Sequence, residues 1–336
     1  MQGKKQIAVI GAGVAGCLVA RMLADRGKQV QVFDKSRGTG GRLASAHLGE
    51  LSADLGAAMI DTDVAERLLT LDPGLPLQPW HFRQANLLSK AATDAQAWVS
   101  TPRASALTRS LLTGIPLHSQ TRITELSQGD DESWWLHTEQ GEQHGPFTHV
   151  VVAVPAPQAV PLLVSAPELQ QAAEAVQVTP TWVLLVELAT RPAGLAETDF
   201  LDGNPGAEHP LLARVVRDSS KPGRSGEVWQ LQARADWSQQ HQSDPAEQVA
   251  ASLLEAFADL AGESLQPVQQ RAHRWLYADV AAATDITNPL ASSGTLGICG
   301  DWVCGNGRCR QGLSAAVQSA EQLIRALEAS DSALVD

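Results

Sequence analysis

Apolar and polar positions alternate most legibly at the amino terminus. Gln6–Ile10 is a short β-rich run that reaches Gly11 with no turn residue in between. Cys17 to Ala24 has helix-forming composition, with Leu18, Val19, Met22 and Leu23 apolar, and Gly27 closes that helix. Gln29–Phe33 then alternates like a second buried strand and ends at Asp34. Further along, Thr121–Leu126 and Ser133–Thr138 read as strands joined through Gln128-Gly129-Asp130, and Thr148–Val154 is an unbroken apolar run suited to a strand buried on both faces. Thr181–Leu188, Leu211–Arg217 and Glu227–Ala233 read as strands of a mainly antiparallel sheet, and Gly294–Cys299 as one more strand. Helices are expected at Ala106–Leu112 after Ser105, at Ala246–Ala261 with a stop at Gly262, and from about Gln311 to Leu327. In the last of these Leu313, Val317, Ala320, Ile324 and Leu327 recur at helical spacing and should face a core.

This order predicts an α/β, Rossmann-type domain made of residues 1–75, 104–157 and 275–336, interrupted by a second, mainly antiparallel α+β domain of residues 76–103 and 158–274. The proline- and glycine-rich stretch from Leu71 to Pro79 reads as a crossing between them. The first domain carries the chemistry that is easiest to read. Gly11, Gly13 and Gly16 follow a strand and open a helix at the spacing G-x-G-x-x-G. The three serve a tight turn, close backbone approach to a pyrophosphate, and tight helix–strand packing. Free N–H groups and the positive end of the helix beginning near Val14 would hold the phosphates. Asp34 ends the second strand, where a carboxylate accepts hydrogen bonds from a ribose diol. The loop that follows, Lys35-Ser36-Arg37-Gly38-Thr39-Gly40-Gly41-Arg42, is dense in glycine and ends in a guanidinium suited to phosphate. Ser52 to Ala57 reads as a short strand and turn returning to the cofactor.

Composition narrows this picture without redirecting it. The 336 residues carry a formal net charge of −12, which disfavours a general nucleic-acid binder. Lys4 and Lys5 precede an apolar run, but its three glycines and Arg21 argue against a cleaved signal or a membrane span. Four cysteines with neither feature point to a reducing cytoplasm. Cys299, Cys304 and Cys309 are spaced unlike a zinc site, so no metal is expected.

Near the carboxy terminus a strand ends in Gly300-Asp301-Trp302, and a glycine-punctuated loop, Gly305-Asn306-Gly307, leads into the last helix. A flavin site uses such a carboxylate on the ribityl chain, and a helix dipole there favours negative charge on the reduced ring. The alternative for Asp301 is a helix-side cap or turn residue. Together GAGVAG, FDKSRGTGGR, DLGA and GDW resemble the flavin amine oxidase superfamily. The runs Trp98-Val99-Ser100-Thr101-Pro102, Ser105-Ala106-Leu107, Arg217 to Arg224, Asp236-Trp237-Ser238 with His241, and His273-Arg274-Trp275 resemble, more narrowly, the renalase family. That resemblance implies noncovalent FAD; the covalent members of the superfamily attach flavin through a cysteine upstream of the terminal Gly-Asp strand, and residues 284–298 contain none. It also implies oxidation of 1,2- and 1,6-dihydronicotinamide isomers of NAD(P)H, hydride passing to flavin N5 and O2 becoming H2O2. Expected cofactor contacts are Gly11, Gly13, Val14, Ala15, Gly16, Asp34, Lys35, Arg37, Gly41, Arg42, Ile123, Gly300, Asp301, Gln311, Gly312 and Leu313.

The chain departs from the family at Ala58-Met59-Ile60, where an aromatic pair is common, and at Arg308 to Gly312, where an acidic residue and a Gly-Ala step are common. Trp237, His241, His273, Arg274, Trp275 and Tyr277 are candidates to wall a pocket for a planar ring, or else ordinary core and surface residues. Arg214, Arg217 and Lys221 are open to two readings, attraction of a substrate phosphate or decoration of an exposed strand and turn. Two other functions remain: an amine oxidase of the same fold, against which a single tyrosine speaks mildly, and a non-enzymatic FAD-binding redox protein.

Overall fold

Ile7, Ala8, Val9 and Ile10 are all buried in a computed structural model, which describes residues 6–89, 91–203, 209–304 and 312–333. Burial of consecutive side chains requires cover on both faces of the strand, and a parallel sheet flanked by helices provides it. Gln6–Ile10 is the central strand of five, ordered 296–298, 149–152, 6–10, 29–33, 117–118, and every neighbouring pair is parallel. The helices Val14–Asp25 and Gly312–Ala333 pack on each other. Val317, Ala320 and Ile324 are buried as the helical period demands, joined by Leu323, while Leu313 and Leu327 are half-buried. A three-stranded antiparallel sheet, Ile123–Gln128, Trp134–Thr138 and Gln143–Phe147, completes this unit. Its third strand was not foreseen, because Gln143-His144-Gly145-Pro146 has no apolar alternation.

By internal packing the chain divides into two units, one of residues 1–41, 108–178 and 280–336, the other of residues 42–107 and 179–279. Set beside the expected ranges, residues 42–75, 104–107 and 275–279 belong to the second unit and 158–178 to the first. The Leu71–Pro79 stretch lies inside the second unit, and the chain passes between units at Gly41 and Arg42.

The second unit is built on a seven-stranded, mainly antiparallel sheet ordered 267–282, 177–188, 228–233, 212–217, 200–202, 77–86, 93–100. One pair, 200–202 with 77–86, is parallel. Strand Gln177–Leu188 serves two cores. Trp182, Leu184 and Val186 face the helix Ala246–Ala261, which ends at Gly262 as expected, whereas Val183 and Leu185 pack with Ala46, Leu48 and Ala53 of the hairpin 45–54 and with Leu55 just after it. The helix Thr62–Leu71 and the sixteen-residue strand Pro267–Ala282 were missed, the latter because it has no fully buried residue to mark a period.

At the first strand–helix turn the spacing of glycines has a steric cause. A Cβ on Gly16 would sit 2.1 Å from the Gly11 carbonyl oxygen, whereas one on Gly13 would meet nothing within 4 Å. Gly16→Ala should therefore yield little folded protein. Gly13→Ala should fold with a melting temperature only about 2–4 °C lower, the scale of exchanging glycine for alanine at a helix N-cap. Thermal melts of the two variants check this.

Candidate functional site

The candidate nucleotide-binding residues lie in the first unit. Gly13 caps the helix Val14–Asp25 in extended conformation, and the first intrahelical bond runs from the Cys17 N–H to the Gly13 carbonyl. The N–H groups of the first helical turn, Val14 to Gly16, thus have no partner within the helix. Val14 and Ala15 bury their side chains, so this turn presents backbone rather than side chain. Beside it Gly40 donates its N–H to the Ala12 carbonyl, and a Cβ on Gly41 would stand 3.2 Å from the Gly13 Cα. The glycine loop is therefore laid directly against the fingerprint turn. The open space at Gly13 and the amide-lined helix end fit a pyrophosphate.

Asp34 is held by two backbone donors. The Ala12 N–H donates to one carboxylate oxygen at 2.6 Å and the Ser36 N–H to the other at 2.7 Å. This fixes the carboxylate plane at the strand end and leaves each oxygen capacity for a further donor, as a ribose diol requires. The Lys35 ammonium donates to Gln158 Oε1 at 3.0 Å, and burial with the nearby Arg122 charge lowers its pKa. Arg37 is exposed and Ile123 is buried in the core of the small sheet. Beneath the turn Cys17 and Cys299 are free, fully buried thiols; burial pushes Cys299 up to about 12 and Cys17 well up, so neither is poised as a nucleophile.

At the same carboxyl-terminal end of the sheet, after the edge strand 296–298, the Gly300 N–H donates to Ser319 Oγ, and the Trp302 indole donates to the Val154 carbonyl. Asp301, between them, is buried at the strand end. Ser319 had no sequence signal beyond its place one turn above Ala315 and Ala316. Gly312 begins the last helix with Leu313 after it. Gln311 lies outside the described residues, as do Gly305 to Gly307 and the departure at Arg308 to Gln311. Arg42 opens the second unit, and its guanidinium donates to the Ala278 carbonyl at 3.1 Å.

The ring residues of the second unit do not share one wall. Trp237 stacks on His241 with ring centroids 4.1 Å apart and packs on the helix-side core. There Ser238 Oγ accepts the Trp182 N–H, the His241 carbonyl accepts the Trp182 indole N–H, and Arg274 lies over the Trp182 ring and donates to the Gln242 carbonyl. The Asp236-Trp237-Ser238 and His241 motif thus docks a short helix onto the sheet. His273 and Trp275 make an edge-on pair at 4.5 Å, and Trp275 packs on the opposite core, its indole donating to the Leu55 carbonyl. Tyr277 shares that face by the two-residue period of a strand. Side-chain alternation separates the two groups, and only His273, Trp275 and Tyr277 form a row.

The three basic candidates are committed to carboxylates. Arg217 forks onto Glu227 and reaches Asp199, and Arg214 pairs with Asp202. Lys221 is no surface cation at all: its side chain is 0% exposed, with Asp218 Oδ1 at 2.7 Å and Asp54 Oδ2 at 3.0 Å. Asp54 also takes Arg224 Nη2 at 2.7 Å, the Ala104 N–H and the Ser45 hydroxyl. Burial pushes the Asp54 carboxyl up, but Lys221, Arg224 and the Ala104 N–H outweigh it and hold it below the usual range. Asp218, with burial and the Asp54 charge against it, is raised despite Lys221. Burial alone would lower Lys221, and the two carboxylates raise it instead. Sequence reasoning missed this quartet because Asp54 lies far from Asp218 to Arg224 in the chain. Among the described residues no group of three or more His, Cys, Asp or Glu is placed to hold a metal, and no helix is long and apolar enough to cross a membrane.

Removing one member of a buried ion pair strands its partners. Lys221→Met should cost about 3–5 kcal/mol of stability, and Arg214→Met, at a part-exposed pair, at most about 1 kcal/mol. Urea unfolding of both variants tests the contrast.

Residues 9–71 match the NAD(P)-binding Rossmann-like domain, and residues 91–324, more than half of the chain, match the flavin containing amine oxidoreductase family. A candidate flavin-containing monoamine oxidase of Mycobacterium tuberculosis, AofH, is 34% identical over 83 residues, 24% of this chain and 18% of that protein. The zeta-carotene-forming phytoene desaturase of Myxococcus xanthus is 42% identical over 59 residues, 18% of this chain and 11% of that protein. The chain thus aligns with less than a fifth of the length of these curated relatives. Two solved structures share the fold along nearly the whole chain. A candidate protoporphyrinogen oxidase from Exiguobacterium sp. 255-15 superposes with a TM-score of 0.75 at 14% identity, covering 98% of this chain and 100% of that one. Cyclohexylamine oxidase from Brevibacterium oxydans IH-35A gives 0.72 at 10% identity, with the same coverage. With its fingerprint turn, its Gly-Asp strand end and a family match over residues 91–324, the chain belongs to the flavin containing amine oxidoreductase family.

Proposed function

We propose that the protein is an oxidase of dihydronicotinamide isomers carrying noncovalent FAD. The free N–H groups of Val14 to Gly16 at the helix start would take the pyrophosphate, Asp34 the adenosine ribose, and the Gly300-Asp301 strand end the ribityl chain. FAD, when bound, supplies a hydride acceptor at N5 and a two-electron donor to oxygen. The remaining work falls to the protein: holding a planar ring in one orientation and excluding water from it.

The observation that carries the substrate reading is the row His273, Trp275 and Tyr277 on one face of strand Pro267–Ala282, with the Trp275 ring fixed through its hydrogen bond to the Leu55 carbonyl. A fixed indole with an imidazole edge-on to it suits an aromatic or dihydroaromatic ring. Burial, followed by the Arg271 charge, lowers the His273 pKa, so its imidazole is neutral at pH 7 and does not repel a cationic nicotinamide product. In the net reaction the substrate ring loses a hydride and becomes NAD(P)⁺, while O2 takes two electrons and two protons to give H2O2. The family match favours a second reading, oxidation of an amine.

Mixing under anaerobic conditions separates the two. The 1,2- and 1,6-dihydronicotinamide dinucleotides should bleach the flavin fast, and 1,4-NADH and simple amines slowly or not at all. Hydride transfer needs the donor carbon about 3–3.5 Å from its acceptor, so a pocket that places C2 or C6 misplaces C4. Fast bleaching by a primary amine alone would establish the second reading. For the cofactor, Asp34→Ala should weaken FAD binding by about 1.5–3 kcal/mol, the worth of a hydrogen bond to a charged group. Titration of the apoprotein with FAD measures it, and unchanged affinity would place the ribose elsewhere.

A further inference from the structure

The surroundings of Asp54 contain polar atoms that no protein group satisfies. Arg224 Nη1, Gln230 Oε1 and Ser100 Oγ are all buried and have no hydrogen-bond partner among the described residues. The Arg224 side chain is 2% exposed, Gln230 is 1% exposed and Ser100 is 2% exposed. Each lies next to Asp54. Arg224 reaches the Asp54 carboxylate through its other terminal nitrogen. Gln230 Nε2 donates to the Asp54 and Gly56 carbonyls, which fixes the amide so that Oε1 is the atom left over. Ser100 shares the lining of a small cavity with Asp54, Ala104, Leu43 and Met59.

From these atoms we infer that ordered water is built in around Asp54, at Ser100 Oγ in the small cavity and at each of Arg224 Nη1 and Gln230 Oε1. The chemistry of the orphaned atoms selects the ligand. Arg224 Nη1 needs an acceptor, and Gln230 Oε1 needs a donor. An anion satisfies the first and not the second. The quartet already balances two carboxylates against two cations, so an added anion would leave buried net negative charge. A metal cation would face Arg224 and Lys221. Water both donates and accepts, carries no charge and fits a cavity of this size. The hydroxyl of Ser100 serves equally as donor or acceptor. With Arg224 Nε, four buried polar atoms around one carboxylate lack a hydrogen-bond partner among the described residues, which would be exceptional in a folded protein, where nearly all such atoms are satisfied by protein or ordered water.

Two measurements test the site on the full chain. A crystal structure at a resolution that shows ordered water should place density within hydrogen-bond distance of Arg224 Nη1, Gln230 Oε1 and Ser100 Oγ. Direct pairing of Arg224 with Gln230, or a dry cavity at Ser100, would overturn the inference. The sign of a stability change gives the second test. If Ser100 holds water, Ser100→Ala removes a hydrogen bond and should lower the melting temperature by about 2 °C. If Ser100 Oγ is truly unpaired, the same change removes a buried unsatisfied group and the melting temperature should rise. The substitution is small and leaves Asp54 and its ion pairs untouched, so the variant is expected to fold in either case.

Discussion

One carboxylate ties three distant stretches of the second unit together. Asp54 collects the Ser45 hydroxyl, the Ala104 N–H, the Lys221 ammonium and the Arg224 guanidinium. These come from the first hairpin, the segment after strand Thr93–Ser100, and the turn after strand Leu212–Arg217. A buried carboxylate tolerates burial only with such company, and buried cations are under the same constraint. Each partner therefore enforces the placement of the others. The backbone next to Asp54 is fixed in the same way, with the Asp54, Leu55 and Gly56 carbonyls all accepting from the side chains of Gln230 and Trp275. Trp275, at the centre of the ring row, is thereby positioned by the same few residues that surround the ion quartet.

The first unit rests on a different kind of constraint, steric rather than electrostatic. Its strand–helix turn is closed so tightly that the Gly16 backbone packs on the Gly11 carbonyl, and the slack that remains is confined to Gly13. Backbone is thus brought to the one point where an anionic ligand needs to approach amides. Asp34 is oriented by amides of the same turn and loop, so the groups expected to bind the two ends of an adenosine diphosphate are fixed relative to each other before any ligand arrives.

The parts of this architecture governed by local rules were legible in the sequence. The fingerprint strand, turn, helix and second strand fall where the glycines and the apolar run put them, and the helix Ala246–Ala261 matches its period to the residue. What failed were inferences that needed long-range partners. Lys221 reads as a surface cation until Asp54, 167 positions away, is brought against it. Trp237 and Trp275 read as partners in a pocket because both are aromatic and polar-flanked. Whether two such residues meet depends on which face of a sheet each occupies, and that is decided by strand order. The strand Pro267–Ala282 lies at the sheet edge, where exposure blurs the alternation that would have announced it.

From Trp182 to Leu188, strand Gln177–Leu188 has its even-numbered side chains in one core, with Val183 and Leu185 in another. The helix-side core holds the Trp237 and His241 stack, and the opposite core holds Trp275. Mutational drift in such a strand is partitioned by parity. Exchanges among Trp182, Leu184 and Val186 are answered by the helix, and exchanges at Val183 and Leu185 by the hairpin that carries Asp54. A lineage can therefore rewrite the packing of one layer while the layer bearing the ring row keeps its shape. Insertion of a single residue has no such latitude, since it would exchange the two layers at one stroke.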